Sequence, residues 1–152
     1  MPGESRSSPR EIQSYLGRIS GPLLDRIDLH VEVPAVKFRE IAGDRTGETS
    51  GQIRQRVVAA RQRQQTRFTG NPKITCNARM GPKELKGFCA LDEATKELLR
   101  RAMTELNLSA RAYDRILKVG RTVADLAGAE KISSEHISEA IQYRSLDRQI
   151  WG

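Results

Sequence analysis

Arg26 places a fixed positive charge just before a predicted strand, which raises the question of what chemistry it could serve. It lies between Asp25 and Asp28 in the stretch SGPLLDRIDLHVEVP, just before an alternating run of apolar and polar residues. A guanidinium beside a transferred phosphoryl group stabilises the developing charge, which in some systems is worth about 10³–10⁵ in rate. The spacing alone favours a plainer role, because the two flanking carboxylates can hold the arginine in a weak surface ion pair. Arg18 is a nearby competitor for the same chemistry.

Arg111 is the second candidate, in the stretch LSARAYDRILKVGRTVADLAG. It falls in the first turn of a predicted helix, where a cation opposes the helix dipole at a cost of roughly a few tenths of a kcal/mol. Arg115 and Lys118 share its face, opposite the apolar stripe of the helix. From the pattern alone, this face is either an ordinary solvated surface or a surface that binds anions.

An arginine-rich helix is predicted from Gly51 to about Phe68, and "TGNP" ends it. Its apolar stripe is thin, and four arginines flank that stripe on both sides: Arg54, Arg56, Arg61 and Arg63. Such a helix could neutralise several phosphates of DNA and bind with a steep salt dependence. Alternatively, long arginine stems pack beside a hydrophobic contact and keep their charged heads in water. The packing of arginine stems explains the layout on both sides of the stripe, and a contact of these four arginines with DNA or with another subunit stays open as the alternative.

Composition limits the remaining possibilities. The chain has 152 residues, 26 Lys and Arg against 19 Asp and Glu, and a net charge of +7, which predicts attraction to phosphate-bearing partners. Its two cysteines form no CxxC pair and lie far from both histidines, so no zinc site and no other metal site is predicted. No apolar run approaches the ~18 residues of a membrane span, and the N-terminus lacks an apolar signal core. We therefore expect a cytoplasmic protein that has no contact with a membrane.

The element pattern predicts a mainly α fold. A capped helix over residues 8–19 and an alternating strand over residues 27–33 come first, followed by a linker and the arginine-rich helix. A short helix is expected after Gly81-Pro82. Three amphipathic helices follow, from about Asp92 to Leu106, from about Ala110 to Ala127 and from Ser133 onward, and they can bury their stripes only against each other. The predicted units are residues 1–35, 36–90 and a helical bundle over 91–148.

The predicted strand lacks partners, because one strand does not make a sheet. We therefore interpret residues 1–35 as a leader followed by the last part of an α/β domain whose remainder lies upstream. The strand itself is expected to be loosely packed, or paired with a strand of another copy.

Four stretches, in this order, carry a family resemblance: SPREIQSYLGRISGPLLDRIDLHVEVP, NARM, LSARAYDRILKVGRTVADLAG and AIQYRSLDR. Together they resemble the C-terminal third of the magnesium-chelatase-related AAA+ ATPases of the ComM/YifB type, over residues 8–148. The resemblance implies a ring-forming motor, expected to be a hexamer, that uses ATP and Mg²⁺ and acts on DNA in branch migration during natural transformation. The last helices would then be the AAA+ lid.

The resemblance also implies roles for two arginines. Arg26 matches the family's arginine finger, which reaches the nucleotide of a neighbouring subunit, and Arg111 matches the sensor-2 arginine. The sequence has no G-x-x-x-x-G-K-[ST] loop and no acidic strand end for magnesium. We therefore expect this polypeptide to bind no nucleotide and to hydrolyse no ATP alone, and to depend on an upstream AAA+ core and on neighbouring subunits.

Two alternatives stay open. The chain could be a stand-alone basic helical module that binds nucleic acid, in which case it would bind DNA by itself. It could also be part of a true magnesium chelatase, which shares the motor chemistry but has a porphyrin-metallation complex as its partner.

Overall fold

Five α-helices and one 3₁₀ turn make up most of the described part of the chain, which consists of residues 8, 10, 14, 26–31, 33 and 47–144 of a computed structural model. In chain order they are α1 (Ser50–Arg67), the 3₁₀ turn (Asn77–Arg79), α2 (Pro82–Phe88), α3 (Glu93–Glu105), α4 (Ala110–Leu126) and α5 (Ser134–Gln142). The mainly helical class predicted from the sequence is confirmed. No helix in these residues is both long and apolar enough to cross a membrane.

The central element is α4, which packs against α5 on one side and against the C-terminal half of α1 on another. Its buried face carries Ile116, Leu117 and Ala124 at helical spacing, and these meet Leu99 of α3 and Ile137 of α5. The core also takes residues from before α3: Phe68, Met80, Leu85 and Cys89. One continuous core therefore joins α1, the 3₁₀ turn and α2 to the three later helices.

Local capping explains where these helices begin. Thr49 caps α1, because its hydroxyl accepts from the Gln52 amide at 3.3 Å and the Gln52 side chain accepts from the Thr49 amide at 2.9 Å. Ser109 accepts from the Ala112 amide at 3.2 Å at the start of α4. Gly128, with φ +75°, follows the end of α4, because glycine adopts this left-handed conformation without steric cost.

The two central helices approach closely at Gly120. A Cβ atom at this position would lie 2.8 Å from Cδ1 of Ile137, a side chain with no exposed surface. Only a residue without a side chain therefore lets α4 and α5 pack at this distance. Ile132 and Ile137, which lie on either side of the start of α5, are both buried.

Residues 26–31 and 33 differ from the predicted strand, because none of them is in a strand. The apolar residues of the alternating pattern point outward, with Val31 66% and Val33 82% exposed, whereas His30 is buried. The described residues contain no strand with which this backbone could pair, and its hydrogen-bond partners lie in the helical bundle instead. Arg10 and Ser14 are helical, and the rest of the helix predicted over 8–19 lies outside the described residues.

Candidate functional site

A cleft of about 360 Å³ lies beside the N-terminal half of α4 and contains the predicted sensor-2 arginine. Six residues line it: Asp28, Ala78, Arg111, Asp114, Arg115 and Lys118. Three of them are cationic and two are anionic, so the cleft carries an excess of positive charge. A site of this composition can receive a phosphate group, provided that its carboxylates remain engaged with part of the positive charge.

The helix periodicity of α4 brings the three cations together. Arg111, Arg115 and Lys118 are separated by four and three residues, which places them along one side of the helix, as predicted from the sequence. Lys118 Nζ donates to the Ala78 carbonyl oxygen at 3.1 Å, and so connects the cleft to the 3₁₀ turn. Arg115 forms an ion pair with Asp28. Arg111 lies in the first turn of α4, lines the cleft and is exposed.

The segment 26–31 contributes Asp28 to the lining of the cleft, and three contacts fasten this segment to the bundle. The first is the ion pair between Asp28 and Arg115. In the second, the Arg144 guanidinium donates to the Ile27 carbonyl oxygen, and in the third the His30 amide donates to the Tyr143 carbonyl oxygen at 2.7 Å. Arg144 is only 1% exposed, so it acts as a buried bridge between the end of α5 and this segment.

Arg26 lies at the start of the same segment, in a turn, and is exposed. It does not line the cleft, although Asp28, two residues later, does. The structure therefore brings Arg111 and the backbone that carries Arg26 to one end of the bundle. The side chain of Arg26 is left accessible to groups outside the described residues.

The arginines of α1 lie apart from the cleft. The thin apolar stripe of the arginine-rich helix consists of Ile53, Val57 and Ala60, and residues 50–59, which include the first two, are all exposed. Only Ala60 of these three is buried, because the bundle covers just the C-terminal half of α1. Arg54 and Arg61 are exposed, Arg63 has its Nη2 near Gly128, and Arg56 forms an ion pair with Glu48. The hydrogen bond from Arg56 lowers the pKa of Glu48.

A buried polar cluster behind the cleft was not predicted from the sequence. The Asp125 carboxylate of α4 accepts two hydrogen bonds from Arg67 of α1, at 2.5 and 2.7 Å, and one from the side-chain amide of Asn77 at 2.8 Å. Asn77 also accepts from Arg67 at 2.9 Å, and its backbone amide donates to Gln64 at 3.1 Å. These bonds fix the C-terminal end of α1 and the 3₁₀ turn to α4.

Arg121 completes the cluster one turn before Asp125, with 3.3 Å between its Nη2 and Oδ1 of Asp125. Its guanidinium also donates to the carbonyl oxygens of Ala129 and Glu130, at 2.8 and 2.7 Å. Burial raises the pKa of Asp125, but the hydrogen bonds from Arg67 and Asn77 outweigh it, so the pKa lies below its ordinary value. One feature of the sequence could have indicated this cluster: Arg121 and Asp125 are four residues apart on a face of α4 that is otherwise apolar.

The described residues contain no group of three or more His, Cys, Asp or Glu side chains that could hold a metal ion. Cys89 is buried in the core, and burial raises the pKa of its thiol to about 11, which makes it a packing residue rather than a nucleophile. His136 accepts from the Ser133 amide through Nδ1 at 3.0 Å and serves to cap α5. Neither histidine is part of a metal site in this part of the chain.

Comparison of the sequence with known proteins assigns this chain to a family. Residues 47–144 match the family model described as magnesium chelatase, subunit ChlI C-terminal, and residues 2–41 match the model for magnesium chelatase, subunit ChlI. The chain is 44% identical over 146 residues to competence protein ComM of Haemophilus influenzae. This alignment covers 95% of this chain and 28% of ComM.

More distant relatives give the same picture. Protein YifB of Escherichia coli is 38% identical over 148 residues, and protein Rv2897c of Mycobacterium tuberculosis is 35% identical over 130 residues. The alignment with YifB covers 95% of this chain and 28% of YifB. The alignment with Rv2897c covers 86% of this chain and 25% of Rv2897c. This chain therefore spans about a quarter of the length of these relatives. With residues 47–144 matched to its model, the chain belongs to the magnesium chelatase subunit ChlI C-terminal family, as a relative of the ComM and YifB proteins.

Proposed function

We propose that this chain is the lid and arginine-finger portion of a ring-forming AAA+ ATPase of the ComM type that acts on DNA. In this proposal Arg111 contacts the terminal phosphate of a bound nucleotide, and Arg26 reaches the nucleotide of a neighbouring subunit. The ring is expected to be a hexamer in the cytoplasm. The core that binds the rest of the nucleotide lies in the longer protein of which this chain matches a part.

The observation that carries the proposal is the cationic cleft along α4. Arg111, Arg115 and Lys118 line one cavity together with Asp28 of the segment that begins at Arg26. Positively charged side chains placed around a transferring phosphoryl group stabilise the charge that develops on it. The cleft and the Arg26 segment are therefore suited to act on the same kind of anion, from one end of one bundle.

The described residues suit the phosphate groups of ATP but not Mg²⁺. Three cations around a cleft of about 360 Å³ suit the phosphate end of a nucleotide. Mg²⁺ prefers carboxylate oxygens and water, and no cluster of ligands among the described residues is able to hold it. The metal would be held by the upstream core. The residues of this chain contribute binding, orientation and charge compensation, and carry no proton transfer.

The test uses a full-length relative whose matching segment is replaced by this chain. Arg26→Ala is expected to abolish ATP hydrolysis and leave nucleotide affinity intact, because the finger acts on the transition state in another subunit. Arg111→Ala is expected to weaken nucleotide binding as well. The matched control is Arg101→Ala, an exposed arginine of α3 whose hydrogen bond goes to Glu97. Loss of binding in Arg26→Ala with no separate effect on turnover would contradict the finger role.

The exposed arginines of α1 favour a second candidate function, direct binding of nucleic acid by this chain. The helix carries five arginines and no acidic residue, and its first ten residues are uncovered. If this helix binds DNA, the isolated chain should retain a labelled duplex at low salt. Arg54→Gln combined with Arg61→Gln should weaken that binding and reduce its salt dependence by about two phosphate contacts. An isolated chain that ignores DNA at low salt would remove this candidate.

A further inference from the structure

We propose that Arg144 and Arg115 are positioning residues for Arg26: together they clamp the segment 26–31 to the helical bundle. The inference rests on the proposed function in one respect, the role given to Arg26. The clamp itself is a property of this chain and is measured without any activity.

The first part of the clamp is Arg144, just after the end of α5. Its side chain donates to the Ile27 carbonyl oxygen, a contact between residues 117 apart in the sequence. Arg144 is 1% exposed, and a charged group this buried is retained only where it has hydrogen-bond partners. Its neighbour Tyr143 accepts from the His30 amide at 2.7 Å through its backbone. The end of α5 therefore holds the segment on both sides of Asp28.

The second part is the ion pair between Arg115 and Asp28 at the cleft. The side chain of Arg115 is 26% exposed and that of Asp28 is 49% exposed, so water partly screens this pair. It nevertheless fixes the middle of the segment to α4, between the two bonds from the end of α5. Three contacts within four residues leave little freedom to the backbone that carries Arg26.

The consequence is that Arg26 and Arg111 move as one body. The apolar side chains of residues 27, 29, 31 and 33 are exposed, so among the described residues the segment is held on the bundle by these polar contacts and by the buried side chain of His30. Any rotation of the bundle would therefore carry Arg26 with it. This would couple the position of the lid to the position of the residue proposed to act on the neighbouring subunit.

Hydrogen exchange of the His30 amide tests the clamp directly in this chain. Arg144→Met removes every donor but keeps an apolar stem, and Arg115→Gln removes the charge facing Asp28. Arg144→Met should accelerate exchange of the His30 amide by about tenfold, which corresponds to roughly 1.4 kcal/mol for a buried contact. Arg115→Gln should accelerate it by about two- to fivefold, because its ion pair is partly exposed to water. Arg144→Lys, which keeps one donor and the charge, should restore part of the protection.

Two controls keep this measurement decisive. Arg101→Gln, on the exposed side of α3, should leave the His30 amide unchanged. Amides in the middle of α4 should stay protected, which shows that the bundle is intact. If Arg144→Met unfolds the bundle, Arg115→Gln decides alone, because its pair lies at the edge of the cleft. In that case, unchanged exchange of the His30 amide in an intact Arg115→Gln variant would overturn the clamp. If both variants stay folded, unchanged exchange of this amide in both of them would overturn it.

Turnover by the chimeric full-length relative tests the positioning role. Arg144→Met should lower kcat and leave the KM for ATP unchanged, because Arg144 is not one of the residues that line the cationic cleft. Arg144→Lys should recover part of the rate. A raised KM with unchanged kcat would overturn the positioning role. If Arg26→Ala itself leaves turnover intact, the proposed function fails, whereas the His30 exchange still shows whether the clamp exists.

Discussion

Asp125 is expected to be the most sensitive polar position in the bundle. Asp125→Asn keeps the size of the side chain but removes the charge that faces Arg67 at 2.5 and 2.7 Å and Arg121 at 3.3 Å. The Asp125 side chain has no exposed surface, and those of Arg67 and Arg121 are 14% and 3% exposed, so water cannot replace the lost partner. Removing one member of a buried ion pair costs about 3–5 kcal/mol. Because Asn retains one acceptor and Arg121 keeps its two carbonyl contacts, we expect about 3 kcal/mol.

Urea unfolding of the isolated chain, followed by circular dichroism, measures this loss of stability. The double variant Asp125→Asn/Arg67→Met should be less destabilised than the sum of the single variants by about 1–3 kcal/mol, because the two residues share one network. Glu93→Gln is the matched control, since it removes an exposed carboxylate that pairs with Lys96, and it should leave the midpoint unchanged. A loss below about 1 kcal/mol for Asp125→Asn, or additive single effects, would refute the cluster as a stabilising network.

The lowered pKa of Asp125 predicts that its stabilisation is complete above the ordinary carboxyl value of 3.8 and is lost as the pH falls through the folded-state value. Acid unfolding should therefore be less steep in Asp125→Asn, and an identical acid limb would contradict this. Gly120→Ala should destabilise the bundle by about 1–2 kcal/mol through its contact with Cδ1 of Ile137. Adding Ile137→Val, which deletes that atom, should recover part of the loss. Cys89 has a pKa of about 11, so the fraction of its thiol that is ionised at pH 8 is on the order of 10⁻³. A thiol reagent should therefore label the half-buried Cys76 before the buried Cys89. Equal labelling rates in the folded chain would contradict the burial of Cys89.

The helices were predictable because their signals are local. Apolar spacing, the serine before α4 and the glycine after it each depend on a few neighbouring residues, and the structure confirms these elements. The clustering of Arg111, Arg115 and Lys118 on one side of α4 followed from the same periodicity. A helix fixes the relative directions of its own side chains, so this part of the site was available from the sequence.

The remainder depends on contacts between distant parts of the chain. Hydrophobic patterning assigns charged residues to solvent, so it could not place Asp125 and Arg121 inside the bundle or predict Arg67 as their partner. Ile53 and Val57 have the spacing of a buried stripe, but the bundle ends before it reaches them. The alternation over residues 27–33 is typical of a strand, yet a strand needs a neighbour to pair with. Here the hydrogen bonds form with residues just after α5 instead. The His30 amide donates to the Tyr143 carbonyl oxygen, and the Arg144 guanidinium donates to the Ile27 carbonyl oxygen.

ATP turnover by mixed rings tests the central claim most directly. Chimeric full-length subunits carrying Arg26→Ala would be mixed with unmodified subunits in increasing proportion, and the rate would be followed at fixed total protein. If Arg26 acts on the nucleotide of its neighbour, turnover falls faster than the fraction of unmodified subunits, because each variant disables an active site beyond its own. A decline in simple proportion to that fraction would mean that the change acts within its own subunit, and would contradict the role proposed for Arg26.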